Sequence, residues 1–327
     1  MKTARYDRHG QPAEVIALID QPTPTPGPRE AVIAVEAAPI HLADLYCMQG
    51  LPRFRMPLPH VPGFEGVGTV RAVGAEVRNV RPGERVFLPL ACGAWREEIC
   101  VPADGLLPAP AGDAAQLALL PINPPTSYLV LKDFGDLKPG NWIIQNAANS
   151  NCGRYLIELA KLWGIRTVNV VRRPEPIADL TALGGDVVLV DGPDLAARVK
   201  DATGAAPIRV GLDAVNGQAT QRLADCLADG ATLLAYGMAA GENCVIAPDT
   251  LFLRDIRLMG FYTVRQFAKR TPAQVRAIYQ ELVDLFERGQ LTAKIAATYP
   301  LARVKDAVAH AGRKGAEREG KVILTMR

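Results

Sequence analysis

The stretch Asn141-Trp142-Ile143-Ile144-Gln145-Asn146-Ala147-Ala148-Asn149-Ser150-Asn151-Cys152-Gly153-Arg154 decides how this chain folds. Its apolar run, Trp142 to Ile144, gives way to small polar residues. From Gly153 the sequence continues Tyr155-Leu156-Ile157-Glu158-Leu159-Ala160-Lys161-Leu162-Trp163-Gly164, with apolar residues at helical spacing and a glycine where a helix ends. The order is strand, tight turn, helix. Thr167-Val168-Asn169-Val170-Val171 then reads as a second buried strand and completes a βαβ unit. Its turn lies at a helix N-terminus, where free N–H groups and the helix dipole favour an anion.

Setting GxGxxG on Ala148 to Gly153 keeps only the last glycine, with Ala148 and Ser150 in the other two places. The pattern alone leaves a cofactor turn and an ordinary βα turn both open. The residues just past the second strand favour the cofactor. Where an acid would meet the ribose hydroxyls of NAD, the chain has Arg172-Arg173, which suit the 2′-phosphate of NADPH.

Around this unit the chain divides by texture. Residues 1–121 are rich in Pro and Gly, with short runs such as Ala31 to Val35 and Gly66 to Val73 bounded by turn residues, and Val80 to Phe87 places a Pro-Gly turn before another. This is a β-rich domain. Over 122–267 strand and helix patterns alternate: Asp186 to Val190, Ile208 to Asp213, Ala231 to Tyr236 and Ile256 to Tyr262 are continuous apolar runs of strand length, separated by helical stretches such as Gln218 to Leu227. With the two strands already read, they make a six-stranded, doubly wound parallel sheet, an α/β fold with the cofactor across the strands' carboxyl ends. In the last segment, 268–327, a helix from Thr271 to Arg288 precedes strands at Ile295 to Tyr299 and Val322 to Thr325. The charged run Arg313 to Lys321 reads as solvated surface.

With 327 residues, 49% of them hydrophobic, the chain can bury a large core and is long enough for two domains. Its 37 basic and 34 acidic residues leave a net charge of +3, too weak a field to suggest nucleic acid or an anionic membrane as partner. No apolar run approaches the roughly 20 residues of a membrane span, and the first residues lack a signal or transit composition, so the cytoplasm is the expected compartment. The six cysteines are scattered without a CxxC pair and read as free thiols.

Gln145 to Gly153, Arg166 to Arg172, Ile122-Asn123-Pro124-Pro125-Thr126-Ser127-Tyr128 and the ending Lys321 to Met326 resemble the medium-chain dehydrogenase/reductase superfamily. Within it the chain is most similar to the mitochondrial-type trans-2-enoyl-thioester reductases, and next to the quinone oxidoreductases. The resemblance implies a GroES-like barrel for residues 1–121, a Rossmann domain for 122–267 that binds NADPH, and a return of 268–327 to finish the first domain, leaving a cleft between the two. A homodimer is the expected assembly.

It also assigns roles by position. Asn149, Ser150, Asn151 and Cys152 would line the pyrophosphate, and Arg172 and Arg173 the 2′-phosphate. The main chain of Tyr236, Gly237, Met238 and Ala239 and of Phe261, Tyr262 and Thr263 would hold the nicotinamide half, with Asn123 and Thr126 near its ring and Lys321 a further cofactor contact. The family's catalytic-zinc Gly-His-Glu stands here as Gly63-Phe64-Glu65, and the cysteine cluster of its structural zinc is missing, so no metal is expected.

The proton donor departs from the pattern. These reductases place a tyrosine just after a Gln-Gly, and in Gln49-Gly50-Leu51-Pro52 that place falls on Pro52, which has no proton to give. Tyr46 matches a tyrosine of the quinone oxidoreductases and is the best substitute. His41 stands where zinc-dependent relatives put a cysteine ligand, and reads as a hydrogen-bonding group or acid. Arg53, Arg55 and His60 form a basic cluster that suits either solvent or an anionic acyl-carrier phosphate. The expected activity is transfer of hydride from NADPH to a C=C bond conjugated to a carbonyl, an enoyl thioester above all. Quinone reduction and an NADPH-binding, crystallin-like protein with little turnover are the rivals.

Overall fold

The computed structural model describes residues 1–313, 315 and 319–326, so the middle of the charged run 313–321 lies outside the described residues. The chain forms two compact units, Met1–Ile122 with Ile278–Arg327, and Asn123–Ala277.

The first unit is built on strands whose alternating side chains share one apolar core. A hairpin of β1 (Lys2–Tyr6) and β2 (Ile16–Asp20) precedes β3 (Glu30–Pro39), the long strand on which the main sheet is organised. β4 (Val67–Val73), β5 (Arg85–Phe87), β6 (Glu98–Pro102) and β7 (Leu107–Pro108) follow. β3 pairs antiparallel with β4 and with β6, and its register against β4 shifts at Val32/Ile33 and again at Val35/Ala37. Tyr6, Ile33, Met48 and Trp95 are fully buried in the core of this unit.

The second unit carries the parallel sheet. β8 (Trp142–Gln145), β9 (Arg166–Val171), β10 (Val187–Val190), β11 (Ile208–Asp213), β12 (Thr232–Ala235) and β13 (Arg257–Gly260) run in the spatial order β10-β9-β8-β11-β12-β13. The order reverses between β8 and β11, so the chain is doubly wound about that point. The inner strands β8, β9 and β11 are mostly apolar and buried, as in a sheet covered by helices on both faces. Trp142, Ile144, Val168 and Val170 pack into one buried cluster, and Ala148, Ile157, Val171 and Leu180 into another.

The chain then returns to its first unit through the helix Pro272–Glu287. β14 (Ile295–Pro300) pairs parallel with β15 (Lys321–Thr325), and β15 pairs antiparallel with the end of β3, Ile323 opposite Pro39. The α/β architecture of a Rossmann sheet with a separate GroES-like β domain is therefore the one the sequence implies. Among the described residues no helix is long and apolar enough to cross a membrane.

Candidate active site

In the second unit the turn after β8 is held by buried polar side chains. Gln145, fully buried, donates from Nε2 to the carbonyl of Gly153 at 2.9 Å and to Asn169 Oδ1 at 2.8 Å, tying the strand end to the helix start and to β9. Ser150 caps the helix Asn151–Leu162, its Oγ accepting from the N–H of Gly153 at 3.2 Å. A Cβ on Gly153 would stand 2.6 Å from the carbonyl oxygen of Ala148, so the one glycine left of the fingerprint is the one that helix-to-turn packing requires. The helix N-terminus thus presents Asn149, Ser150, Asn151 and Cys152 together.

The neighbouring strand end is fixed to it. Asn146 donates from Nδ2 to Asp213 Oδ1 at 2.7 Å, and accepts at Oδ1 from the N–H of Ala214 at 2.7 Å. Asp213 also accepts from the N–H groups of Val215 and Asn216, both at 2.9 Å, and from Thr220 Oγ1 at 2.5 Å. Asp213 is fully buried, with every one of these donors aimed at it. Sequence reasoning passed over Asn146 and Asp213. The signal was an acid closing the apolar run Ile208 to Leu212 at the carboxyl end of a strand.

Other expected residues come together around this floor. Thr126 Oγ1 and Thr263 Oγ1 lie 2.6 Å apart, and Ser127 Oγ donates to the carbonyl of Cys152 at 2.8 Å. Asn123 is buried, and its Nδ2 has no acceptor among the described residues. Tyr236 follows β12, its hydroxyl buried beside Cys152 and Ser150, and burial holds that hydroxyl well above the usual tyrosine range. Gly237 packs against the backbone of Ala214, Met238 follows it, and the N–H of Ala239 donates to the Ala214 carbonyl at 2.9 Å. Phe261 is buried edge-on to Phe134 at 5.9 Å, while Tyr262 is exposed. Beyond β9, Arg172 is exposed with no ion pair among the described residues, and Arg173 Nε lies 3.3 Å from Glu175.

In the first unit the helix Leu42–Gln49 carries Tyr46, whose ring meets Phe54 edge-on at 5.4 Å. Pro52, Arg53 and Arg55 are exposed in the loop beyond it. His60 is turned toward Tyr6, with ring centroids 5.4 Å apart, and burial keeps its imidazole below its usual pKa, so it adds no charge to the two arginines.

His41 caps the same helix. Its Nε2 lies 2.6 Å from Glu65 Oε1 and its Nδ1 2.9 Å from Lys321 Nζ. Asp44 accepts from the N–H of His41 at 2.8 Å and from that of Gly63 at 3.0 Å. The tight turn at Gly63 (φ 117°) places Glu65, since a Cβ there would stand 2.5 Å from the backbone nitrogen of Ala94. Glu65 is fully buried, and desolvation pushes its carboxyl up to about 8 against the pull of the Lys321 ammonium. Burial also raises Asp44 to about 7 and holds His41 well below its ordinary value, so the imidazole is neutral. Lys321, expected at the cofactor, is thus joined to His41. Glu65, read from the sequence only as the remnant of a metal motif, is the third member of the row.

The sequence matches the family models for the alcohol dehydrogenase GroES-like domain over residues 27–111 and the zinc-binding dehydrogenase domain over residues 152–287. Mitochondrial enoyl-[acyl-carrier-protein] reductase of Homo sapiens is 35% identical over 306 residues, 90% of this chain and 81% of that protein. Among solved structures, a Bacillus thuringiensis protein assigned as an NADPH:quinone reductase aligns over 100% of this chain and 99% of its own, with a TM-score of 0.92 and 26% identity. A mutant form of the enoyl thioester reductase of Candida tropicalis aligns over 99% of each chain with a TM-score of 0.85, and at 22% identity it shares the fold. The chain is an oxidoreductase that belongs to the medium-chain dehydrogenase/reductase superfamily, in the group that includes the mitochondrial enoyl reductases.

Proposed function

We propose that this oxidoreductase is an NADPH-dependent reductase of C=C bonds conjugated to a carbonyl, with an enoyl thioester as the favoured acceptor. The observation that carries this reading is the 35% identity to a mitochondrial enoyl-[acyl-carrier-protein] reductase across 90% of the chain. The second unit offers a fit for the cofactor: an N-terminal helix turn with a serine cap, exposed Arg172 beyond β9, and the buried Asn123 amide with a proton to donate. Asn149, Ser150, Asn151 and Cys152 would hold the pyrophosphate, Arg172 and Arg173 the 2′-phosphate, and Asn123, Thr126, the backbone of Tyr236 to Ala239 and that of Phe261 to Thr263 the nicotinamide half. Lys321 is a further contact. Bound there, NADPH supplies the hydride.

The chain's own share is to orient the acceptor, stabilise the enolate oxygen and supply a proton to the second carbon. Tyr46 and His41 are the proposed groups of the first unit for that proton. No metal takes part in this reading. Both ring nitrogens of His41 already have partners, and Phe64 offers no ligand atom.

Quinone reduction is the second reading, favoured by the likeness to the Bacillus thuringiensis protein and by Pro52, since a quinone needs no fixed carbon acid. Steady-state NADPH oxidation with crotonyl-CoA, a longer enoyl-CoA and a quinone separates the two. No turnover with any of them would overturn both readings and leave an NADPH-binding protein.

The partner proposed is a second copy of this chain. β13 is an edge of the parallel sheet, and Phe252, Leu253, Met259, Tyr262 and Val264 near it are exposed. An open edge beside apolar side chains is self-complementary about a twofold axis. A monomer by light scattering at micromolar concentration would refute this.

A further inference from the structure

The two residues past β9 are both arginines, yet the structure holds them differently. Arg172 is exposed and has no ion pair among the described residues, whereas the Arg173 side chain is 22% exposed and its Nε lies 3.3 Å from Glu175 Oε2. Nε of Arg173 is buried and makes no aligned hydrogen bond, so Glu175 holds this guanidinium by charge. One arginine is ready for an anion, and the other already faces one.

The loop keeps that pair together. Arg172 to Pro176 joins β9 to the helix Ile177–Leu183 and reads Arg-Arg-Pro-Glu-Pro, so Glu175 stands between two residues of fixed φ. The N–H of Ile177 closes a turn on the Pro174 carbonyl at 3.0 Å, and Pro176 is buried. The next acid at the carboxyl end of the sheet is already neutralised. Asp191 follows β10 with its N–H bound to the Val171 carbonyl at 2.8 Å, and Arg222 grips its carboxylate through Nε at 2.7 Å and through Nη2. Glu175 has no second arginine among the described residues.

We infer that Glu175 is a specificity-determining residue, which competes with the 2′-phosphate of NADPH for Arg173 and so lowers the preference for NADPH that Arg172 confers. The inference rests on the NADPH reading above. An ion pair to a carboxylate that is 63% exposed is weak, and a phosphate monoester carries roughly 1.5 to 2 negative charges at neutral pH. The phosphate therefore takes the guanidinium, the carboxylate returns to water, and the exchange lowers the affinity. NADH has a hydroxyl in that place and draws nothing from Arg173, so the loss falls on NADPH alone.

Dissociation constants for NADPH and NADH, measured at low ionic strength without an acceptor, test this. Glu175→Gln keeps the length of the side chain and removes its charge. It should tighten NADPH by about two- to fivefold, the size of an exposed ion pair, and should not tighten NADH. In an Arg173→Met background the same change should give less than about a twofold effect. Arg172→Met should weaken NADPH more than Arg173→Met does in the native protein, and the two losses should converge once residue 175 is uncharged. A gain in affinity cannot come from a damaged fold. The inference is overturned if Glu175→Gln tightens NADPH by less than about twofold, if it tightens NADH as much, or if the gain persists without Arg173, which would make Glu175 a plain repulsive charge. Should Glu175→Gln change nothing while Arg172→Ala/Arg173→Ala still loses NADPH, the cofactor reading stands and Glu175 alone is excluded. A native protein that binds neither cofactor overturns both.

Discussion

Asn146, the residue after β8, donates to the buried carboxylate of Asp213, the last residue of β11, across 2.7 Å. This bond joins the two strands between which the sheet order reverses, so it sets the floor on which the Ala147 to Asn151 turn stands.

Removing that carboxylate would orphan the buried donors of Asn146, Val215, Asn216 and Thr220 at once. Each unsatisfied buried group costs about 1 to 3 kcal/mol, and the loss is partly relieved by relaxation or an entering water. Asp213→Ala is therefore expected to lower unfolding stability by about 3 kcal/mol or more, read as the urea midpoint at constant slope. A change under about 1 kcal/mol would show that the turn does not depend on this anchor.

Cofactor choice should reside in Arg172 and Arg173. A charge-assisted hydrogen bond to phosphate contributes roughly 1.5 to 3 kcal/mol, and each 1.4 kcal/mol is about a factor of ten. Arg172→Ala/Arg173→Ala should lose at least about tenfold in preference for NADPH over NADH, by weakening NADPH alone. Equal dissociation constants for the two cofactors in the native protein would remove the arginines from this role.

Metal independence has a direct check. Prolonged treatment with a chelator should leave the rate and the thermal midpoint unchanged, and elemental analysis should find zinc well below one per chain. Stoichiometric zinc whose removal abolishes activity would mean that the His41–Glu65 pair opens to take a metal.

Burial of Glu65 gives stability a definite dependence on pH. The unfolded carboxyl ionises near 4.5 and the folded one only near 8, so between these values the folded state holds a proton that the unfolded state has released. Glu65 contributes most below its unfolded value, and that contribution is lost as pH rises through about 8. The urea midpoint of Glu65→Gln should accordingly gain on that of the native protein as pH rises through this window, then level off. A constant offset at every pH would show that Glu65 ionises as freely folded as unfolded.

The parallel sheet was legible because its strands are covered on both faces. Trp142 to Ile144 stands out as a continuous apolar run, and Thr167 to Val171 and Ile208 to Leu212 as mostly apolar ones interrupted by Asn169 and Arg209. The first unit showed only as β-rich, since β3 carries two register shifts against β4 that break a clean alternation, and its last sheet partners lie far down the chain. The place of Arg172-Arg173 directly past a strand was legible from the sequence. The row was not. Its bonds link His41 to Glu65 across 24 positions and to Lys321 across 280, and nothing local in any of the three segments announces the other two.

The return of the chain to its first unit has a consequence for synthesis. β15 closes on the Ala37 to Pro39 end of β3, and Lys321 opens that strand. During translation the parallel sheet has all of its strands available while the older, N-terminal sheet still waits for its edge. The ammonium that completes the His41 row arrives only with that edge. A chain released before β15 is made would thus carry the parallel unit's whole sequence beside an N-terminal unit with an open strand and a His41 Nδ1 short of its partner, a product for degradation rather than a partial enzyme.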